Sequence, residues 1–139
     1  MPFANATSIA AGAVTPNFLD PALLGGRVRI AMADFTFASD AQAAYTAPIR
    51  LPAGARVIGA FIGSTVSLGS TTLAIGISGT AGKYRAAATY TSTDTLTWLL
   101  QVANTGAKLT AEEQIIITLA AANAPASGTL RVGFLYAQD

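Results

Sequence analysis

The sequence predicts an all-β protein, an antiparallel β-sandwich or barrel of about seven or eight strands that follows an extended N-terminal arm. Two observations predict the strands: apolar residues alternate with period two in segment after segment, and turn-forming Gly, Pro, Asn and Ser separate these segments. Only residues 41–46 and 109–114 have a composition that suits a helical turn. The arm is predicted because residues before position 27 follow neither the strand period nor the helix period.

Residues 1–26 are the predicted arm, and residues 27–139 are the predicted β-sandwich domain. The arm is nearly uncharged and rich in small and turn-forming residues, and Gly25-Gly26 gives it a hinge into the domain. A segment of this kind cannot bury its apolar side chains alone, so we expect it to order when it binds a partner. The candidate partner-binding residues of the arm are Phe3, Ile9, Val14, Phe18, Leu19 and Leu23.

The domain begins with RVRIAM from residue 27, whose alternation predicts a strand with three core-facing side chains: Val28, Ile30 and Met32. Phe35 and Phe37 continue the apolar set on the opposite parity, which predicts a β-bulge near Ala33-Asp34.

The later strands are predicted from the same alternation, in IRL (49–51), TTLAIGIS (71–78), TWLLQV (97–102), QIIITL (114–119) and TLRVGFLY (129–136). VIGAFIGS (57–64) is apolar on both parities, as expected of a strand covered on both faces. The predicted core is Val28, Ile30, Leu73, Ile75, Ile77, Leu100, Ile115, Ile117, Val132 and Phe134.

The composition excludes several classes of chemistry. The chain has no cysteine and no histidine, so it has no disulfides, no zinc sites built on thiolate or imidazole, no cysteine nucleophile and no Ser-His triad. A net charge of +1 gives no electrostatic case for nucleic acid, and no apolar run is long enough to span a bilayer. Charged residues make up only 11% of the chain, which suggests that neighbouring subunits cover much of its surface.

GISGTAGKYRAA (76–87) is the segment closest to a phosphate-binding loop. Such a loop requires an earlier glycine where the chain has Ile77, and a hydroxyl residue where it has Tyr84. We therefore interpret the segment as a glycine-bearing loop after a strand. The Glu112-Glu113 pair, whose members would point to opposite faces of a strand, is interpreted as a solvated turn. We predict no catalytic, cofactor-binding or metal-binding residues.

Arginines outnumber lysines three to one, and the planar guanidinium group suits interfaces. They are either solvated strand-edge charges or partner-binding residues, and the candidates in the domain are Arg27, Arg29, Arg50 and Arg56. Tyr84, Tyr90 and Trp98 could form a sugar-stacking platform, but the alternation around Trp98 favours a core position for it.

Three segments, beginning at GGRVRIAMADFTF, LPAGARVIGAFIGS and LTAEEQIIITLA, resemble the small structural proteins encoded among the head genes of tailed bacteriophages. The likeness covers roughly residues 23–137. It implies a jelly-roll-like β-sandwich that decorates the outer surface of the capsid as a cement protein, commonly as a homotrimer. The implied partner is the major capsid protein, with no nucleic acid, membrane or small-molecule substrate.

Two other functions remain open on the sequence. A carbohydrate-binding or adhesion module could use the same fold with its aromatic residues exposed, and exposure of Trp98 would favour this reading. A tail or neck component of the virion would share the fold and the arm, and its lower copy number would distinguish it from a capsid protein.

Overall fold

The computed structural model describes residues 27–99 and 102–138, which form two four-stranded antiparallel sheets. This confirms the predicted β-sandwich. The strands of this part of the chain are β1 (Arg27–Thr36), β2 (Ala44–Leu51), β3 (Arg56–Ser64), β4 (Thr72–Ile77), β5 (Thr80–Thr89), β6 (Thr97–Trp98), β7 (Glu113–Ala120) and β8 (Thr129–Gln138). A single 3₁₀ turn, Val102–Asn104, lies between β6 and β7.

The strand order is that of a jelly roll. One sheet, here sheet I, has the order β1-β8-β3-β6, and the other, sheet II, has the order β2-β7-β4-β5. Chain neighbours β1 and β2 lie in different sheets, as do β3 and β4, so the chain crosses between the layers as it does in a double Greek key. The described residues contain no helix long and apolar enough to cross a membrane.

The core lies between the two sheets and contains most of the predicted side chains. Six of these are fully or almost fully buried: Leu73, Ile75, Ile115, Ile117, Val132 and Phe134. Ile77 is only partly buried and packs against the edge of this cluster. Leu100 lies outside the described residues. The predicted core did not include Tyr84, which is buried and packs edge to face against Phe134 with 5.1 Å between ring centroids.

The predicted orientation of β1 is wrong. Its pairing with β8 is continuous from Arg27 to Thr36, without the bulge expected near Ala33-Asp34. The side chains that face the core are Ala31 and Ala33, which are smaller than Val28 and Ile30, followed by Phe35 and Phe37. Val28 and Ile30 therefore face outward with Met32 and are more than half exposed. The larger apolar side chains of β1 are therefore the exposed ones, and its alanines are the ones that face the core.

The segment interpreted as a glycine-bearing loop, residues 76–87, spans the end of β4, a tight turn at Ser78-Gly79 and most of β5. β5 pairs with β4, and Gly82 and Lys83 lie inside the strand. Gly79 in the turn has a φ of 83°. The two proposed helical turns are also absent from the described residues, because residues 44–51 form β2 and residues 109–112 form an irregular link into β7.

Candidate interaction surface

The outward face of sheet I concentrates the exposed apolar side chains of the described residues. Val28, Ile30 and Met32 on β1 are 55–58% exposed, Trp98 on β6 is 66% exposed and Leu96, just before it, is 57% exposed. Ladder pairing places Leu135 beside Ile30, and Phe61 beside both Gly133 and Trp98. We call this surface the apolar face: Val28, Ile30, Met32, Phe61, Leu96, Trp98 and Leu135. An exposed contiguous patch of this kind is typical of interaction surfaces.

Three glycines shape the apolar face by letting side chains lie flat on the sheet. A Cβ on Gly59 would lie 3.1 Å from the Trp98 ring, and one on Gly63 would lie 2.9 Å from Leu96. On Gly133 it would collide with the ring of Phe61. Phe61 and Trp98 meet edge to face with 5.7 Å between ring centroids. The glycines of VIGAFIGS and of β8 therefore set the contour of this surface.

Trp98 is exposed, so its predicted core position is wrong. Taken alone, the exposure of Trp98 favours a carbohydrate-binding module, as stated in the sequence analysis above. However, the predicted platform of three aromatic residues does not form, because Tyr84 and Tyr90 are 2% and 4% exposed and belong to the core. The Tyr90 hydroxyl points towards β6 and donates to the carbonyl oxygen of Thr95 at 2.9 Å. Trp98 instead belongs to the apolar face.

An ion pair lies at one border of the apolar face. Asp34 on β1 and Arg131 on β8 are paired in the ladder, and they form a bidentate ion pair at 2.7 and 2.8 Å. The hydrogen bonds from the guanidinium group lower the pKa of Asp34. This border adjoins a shallow depression of about 230 Å³ that includes Thr65, Asp94 and Leu96. Because both charges are exposed, we expect the pair to fix orientation more than stability.

The four candidate arginines lie at one end of the sandwich. Arg56 pairs with Ala137, and Ala137 pairs with Val28, so Arg56 adjoins the apolar face at that end. Arg27 and Arg29 are exposed at the start of β1, where the strand extends beyond the core. Arg50 pairs with Glu112 at 3.1 Å, and Arg56 donates to the carbonyl oxygen of Gly106 at 2.8 Å. Lys83 and Lys108 lie at the same end, which we call the cationic end. The candidate residues of the arm, from Phe3 to Leu23, lie outside the described residues.

The two adjacent glutamates diverge, as their positions in the sequence predict, but the interpretation of both as a solvated turn is wrong for Glu113, which begins β7 and is mostly buried. Glu112 is exposed beside Arg50, whereas Glu113 turns inward and accepts hydrogen bonds from the Lys83 ammonium and the Tyr84 hydroxyl. Burial and the Glu113 carboxylate raise the pKa of Tyr84 well above its ordinary value of 10.0. Lys83, the lysine of the Gly-Lys motif, is thus held in an internal ion pair. This small cluster ties β5 to β7.

No group of three or more Asp, Glu, His or Cys side chains among the described residues is arranged to hold a metal ion. One concavity in this part of the chain has a volume of about 280 Å³ and opens between the edges of β1 and β2. Its walls are mainly core side chains such as Phe35 and Tyr45, and its carboxylates are Asp34, already paired with Arg131, and Asp40.

No protein-family model matches the sequence, and no curated protein matches it. Solved structures do match its fold. A chain of the cyanophage Pam1 capsid asymmetric unit superposes with a TM-score of 0.69 and 25% identity, over 83% of this chain and 87% of that chain.

Two further phage structures agree with this match. A chain of the Ralstonia phage GP4 capsid gives a TM-score of 0.63 at 20% identity, over 95% of this chain and 96% of that chain. A chain of the acid-stable capsid of Helicobacter pylori bacteriophage KHP30 gives 0.61 at 17% identity, over 79% and 86%. At these identities the last two matches establish the fold alone. The jelly roll described above is therefore a fold that this chain shares with chains of bacteriophage capsids.

Proposed function

We propose that this chain is a structural protein of a bacteriophage virion that decorates the outer surface of the capsid and links neighbouring subunits of the major capsid protein. The observation that carries the proposal is the apolar face, which leaves five large apolar side chains more than half exposed on one sheet: Val28, Ile30, Met32, Leu96 and Trp98. A surface of this kind gains free energy when another protein covers it, at about 25 cal/mol per Å² of apolar area.

The comparisons support a role in the virion, since the matching chains come from capsid structures of three phages. The internal use of the polar side chains points the same way. Lys83 and Tyr84 bind Glu113, and Asp34 binds Arg131, so each of these groups has its partner within the domain. A protein that functions only through contacts with neighbouring subunits needs no other polar groups.

Co-sedimentation of the full-length protein with undecorated capsids tests the proposal. Binding should be saturable, and an Ile30→Ser, Met32→Ser variant should bind much more weakly because it makes the apolar face polar. Thr46→Ser, on the exposed side of sheet II, is the matched control and should bind like the original protein. Equal binding by all three proteins would show that the apolar face does not contribute to attachment, and no binding by any would contradict the decoration function.

A tail or neck component is the alternative within the virion. A mass-spectrometric count in purified particles separates the two, because a decoration protein is present in hundreds of copies and a tail or neck protein in about a dozen or fewer. The exposure of Trp98 keeps a carbohydrate-binding module as the second candidate. Quenching or enhancement of Trp98 fluorescence by simple glycans, with saturation, would favour that function over the first.

The proposal includes the absence of enzymatic activity. Lys83 is held by Glu113, so its ammonium group is not available to a phosphate. We expect millimolar ATP to leave the melting temperature unchanged, both in the original protein and in Lys83→Ala. A rise in melting temperature with ATP that disappears in Lys83→Ala would identify a nucleotide site and contradict this expectation.

A further inference from the structure

We propose that the apolar face is the docking surface for residues 1–26 of a second copy of this chain. The inference rests on the proposed function and names the partner of its surface. Segments exchanged between copies would connect neighbouring molecules on a shell without any chemistry. Three features carry the inference: the match in chemistry, the place where the chain enters sheet I, and the length of the segment.

The segment and the apolar face match in polarity. Residues 1–26 contain six spaced apolar anchors and a single charged side chain, Asp20. The apolar face likewise presents apolar side chains, and its border charges, Asp34 and Arg131, already neutralise each other. An uncharged segment can cover such a surface without leaving a buried charge unpaired, whereas a highly charged partner could not.

The point at which the chain enters sheet I favours docking of residues 1–26 on a second copy over docking on the same molecule. Arg27 is already paired with Gln138 at the tip of sheet I, so the chain enters β1 along the strand axis at the cationic end. To lie on its own apolar face, the preceding segment would have to reverse direction after it leaves the tip of sheet I. A chain that continues in the direction of β1 passes the end of its own sheet and reaches another molecule.

The length of the segment agrees with this geometry. Twenty-six extended residues span roughly 85 Å at about 3.3 Å per residue. A folded domain of this size has a radius of gyration of only about 13 Å. The segment is therefore several times longer than the distance to its own apolar face, and long enough to cross to that of a neighbour.

Trp98 provides a direct probe, because it is the only tryptophan of the chain and lies in the apolar face. Acrylamide quenching of its fluorescence in the full-length protein measures how well the face is covered. We expect the quenching constant to fall severalfold, and the emission to shift to shorter wavelength, as the protein concentration rises. Sedimentation velocity on the same samples should show association over the same concentration range.

Paired variants separate exchange between copies from folding back within one copy. The arm variant is Phe18→Ser, Leu19→Ser, with Asn17→Ser as its matched control and Phe3→Ser as a second arm variant. The face variant is Ile30→Ser, Trp98→Phe, which keeps the arm but is silent in fluorescence. The arm variants alone should show an accessible Trp98 at every concentration, and the Asn17→Ser control should behave like the original protein. Mixing an arm variant with the face variant should restore the protection of Trp98.

Three results would overturn the inference. Protection of Trp98 that does not depend on concentration, and that mixing cannot restore, would show that the segment folds back on its own molecule. An accessible Trp98 in the free protein that becomes protected only on capsids would assign the face to the shell. In that case the proposed function would stand, because co-sedimentation with capsids measures it independently. If Trp98 remains protected from quenching in the arm variants, some other part of a second copy covers the apolar face.

Discussion

Tyr84 shows how one buried hydroxyl makes the stability of the domain depend on pH. Its folded-state pKa is raised by burial and by the Glu113 carboxylate, whereas in the unfolded chain it ionises near 10.0. The stabilisation is therefore complete below pH 10 and is lost above it, because the unfolded state then releases a proton that the folded state keeps.

The predicted loss is up to about 1.4 kcal/mol per pH unit from this single group. Tyr84→Phe cannot ionise, so the variant should lose less stability between pH 10 and 12 than the original protein does. Urea unfolding at a series of pH values measures the difference between the two. Parallel curves would mean that Tyr84 ionises as easily in the folded protein as in the unfolded chain.

Substitution of three isoleucines distinguishes core positions from positions on the apolar face. Ile75 and Ile117 are 0% and 3% exposed, so Ile75→Ala and Ile117→Ala should each cost roughly 2–4 kcal/mol of unfolding free energy. Ile30 is 58% exposed, and Ile30→Ala in the monomer should cost less than about 0.5 kcal/mol. Chemical denaturation at low protein concentration measures all three. A large cost for Ile30→Ala would place that side chain in a packed environment.

At the scale of single elements, β2 depends on one side chain of its neighbour. The pairing of β2 with β7 shifts between Thr46 and Arg50, where Pro48 has no N–H to donate. The Gln114 amide fills the gap by donating to the carbonyl oxygens of Ala47 and Ile49, the latter at 3.0 Å.

Gln114→Ala leaves those carbonyl groups without their partner and should cost about 1–2 kcal/mol. Thermal unfolding gives the value, and Gln138→Ala, at the end of β8, is a control near the edge of the sheet that should cost much less. Equal effects of the two substitutions would show that water replaces the Gln114 amide without loss.

The contrast between β1 and β7 shows what alternation can and cannot predict for an element. In β7 the isoleucines at 115 and 117 are buried as their spacing predicts, and polar Gln114 and Thr118 stand on the other parity. In β1 apolar residues occur on both parities, and the larger ones, Val28, Ile30 and Met32, face outward. Side-chain size alone therefore does not predict which parity of β1 is buried. Apolar residues on both parities were the available signal for an exposed apolar surface.

The whole molecule should separate into an independent body and an arm that binds. Deleting residues 2–22 should leave the β-sandwich folded, because the described core between the two sheets is built from residues after position 30. The deletion should weaken attachment to capsids or self-association. Three well-buried anchors such as Phe3, Phe18 and Leu23 could supply several kcal/mol, at about 1.5–3 kcal/mol each before the cost of ordering.

Thermal melting and capsid co-sedimentation of the truncated protein measure the two effects. Unfolding of the truncated protein would show that the deleted segment belongs to the core. Normal melting together with normal attachment and self-association would make the segment a passive tail, and would move the interface to the domain itself.

The fold of the whole molecule was predictable because alternation and turns are local properties of the sequence. The candidate surface was not, because it depends on how distant strands line up. Phe61, Trp98 and Gly133 are far apart in the chain and meet only through the pairing of β3 with β6 and β8. The role of each glycine is likewise visible only once the side chain that lies over it is known.

The uneven placement of charge gives the domain an electric dipole along its strands. Among the described residues, six basic side chains and two carboxylates, Glu112 and Glu113, lie at the cationic end, while Asp34, Asp40 and Asp94 lie towards the opposite end with Arg131. A net charge of +1 conceals this separation. In the field of an anionic surface the molecule would turn its cationic end inward before any contact formed. Added salt should then slow its arrival more than it weakens the final apolar contact.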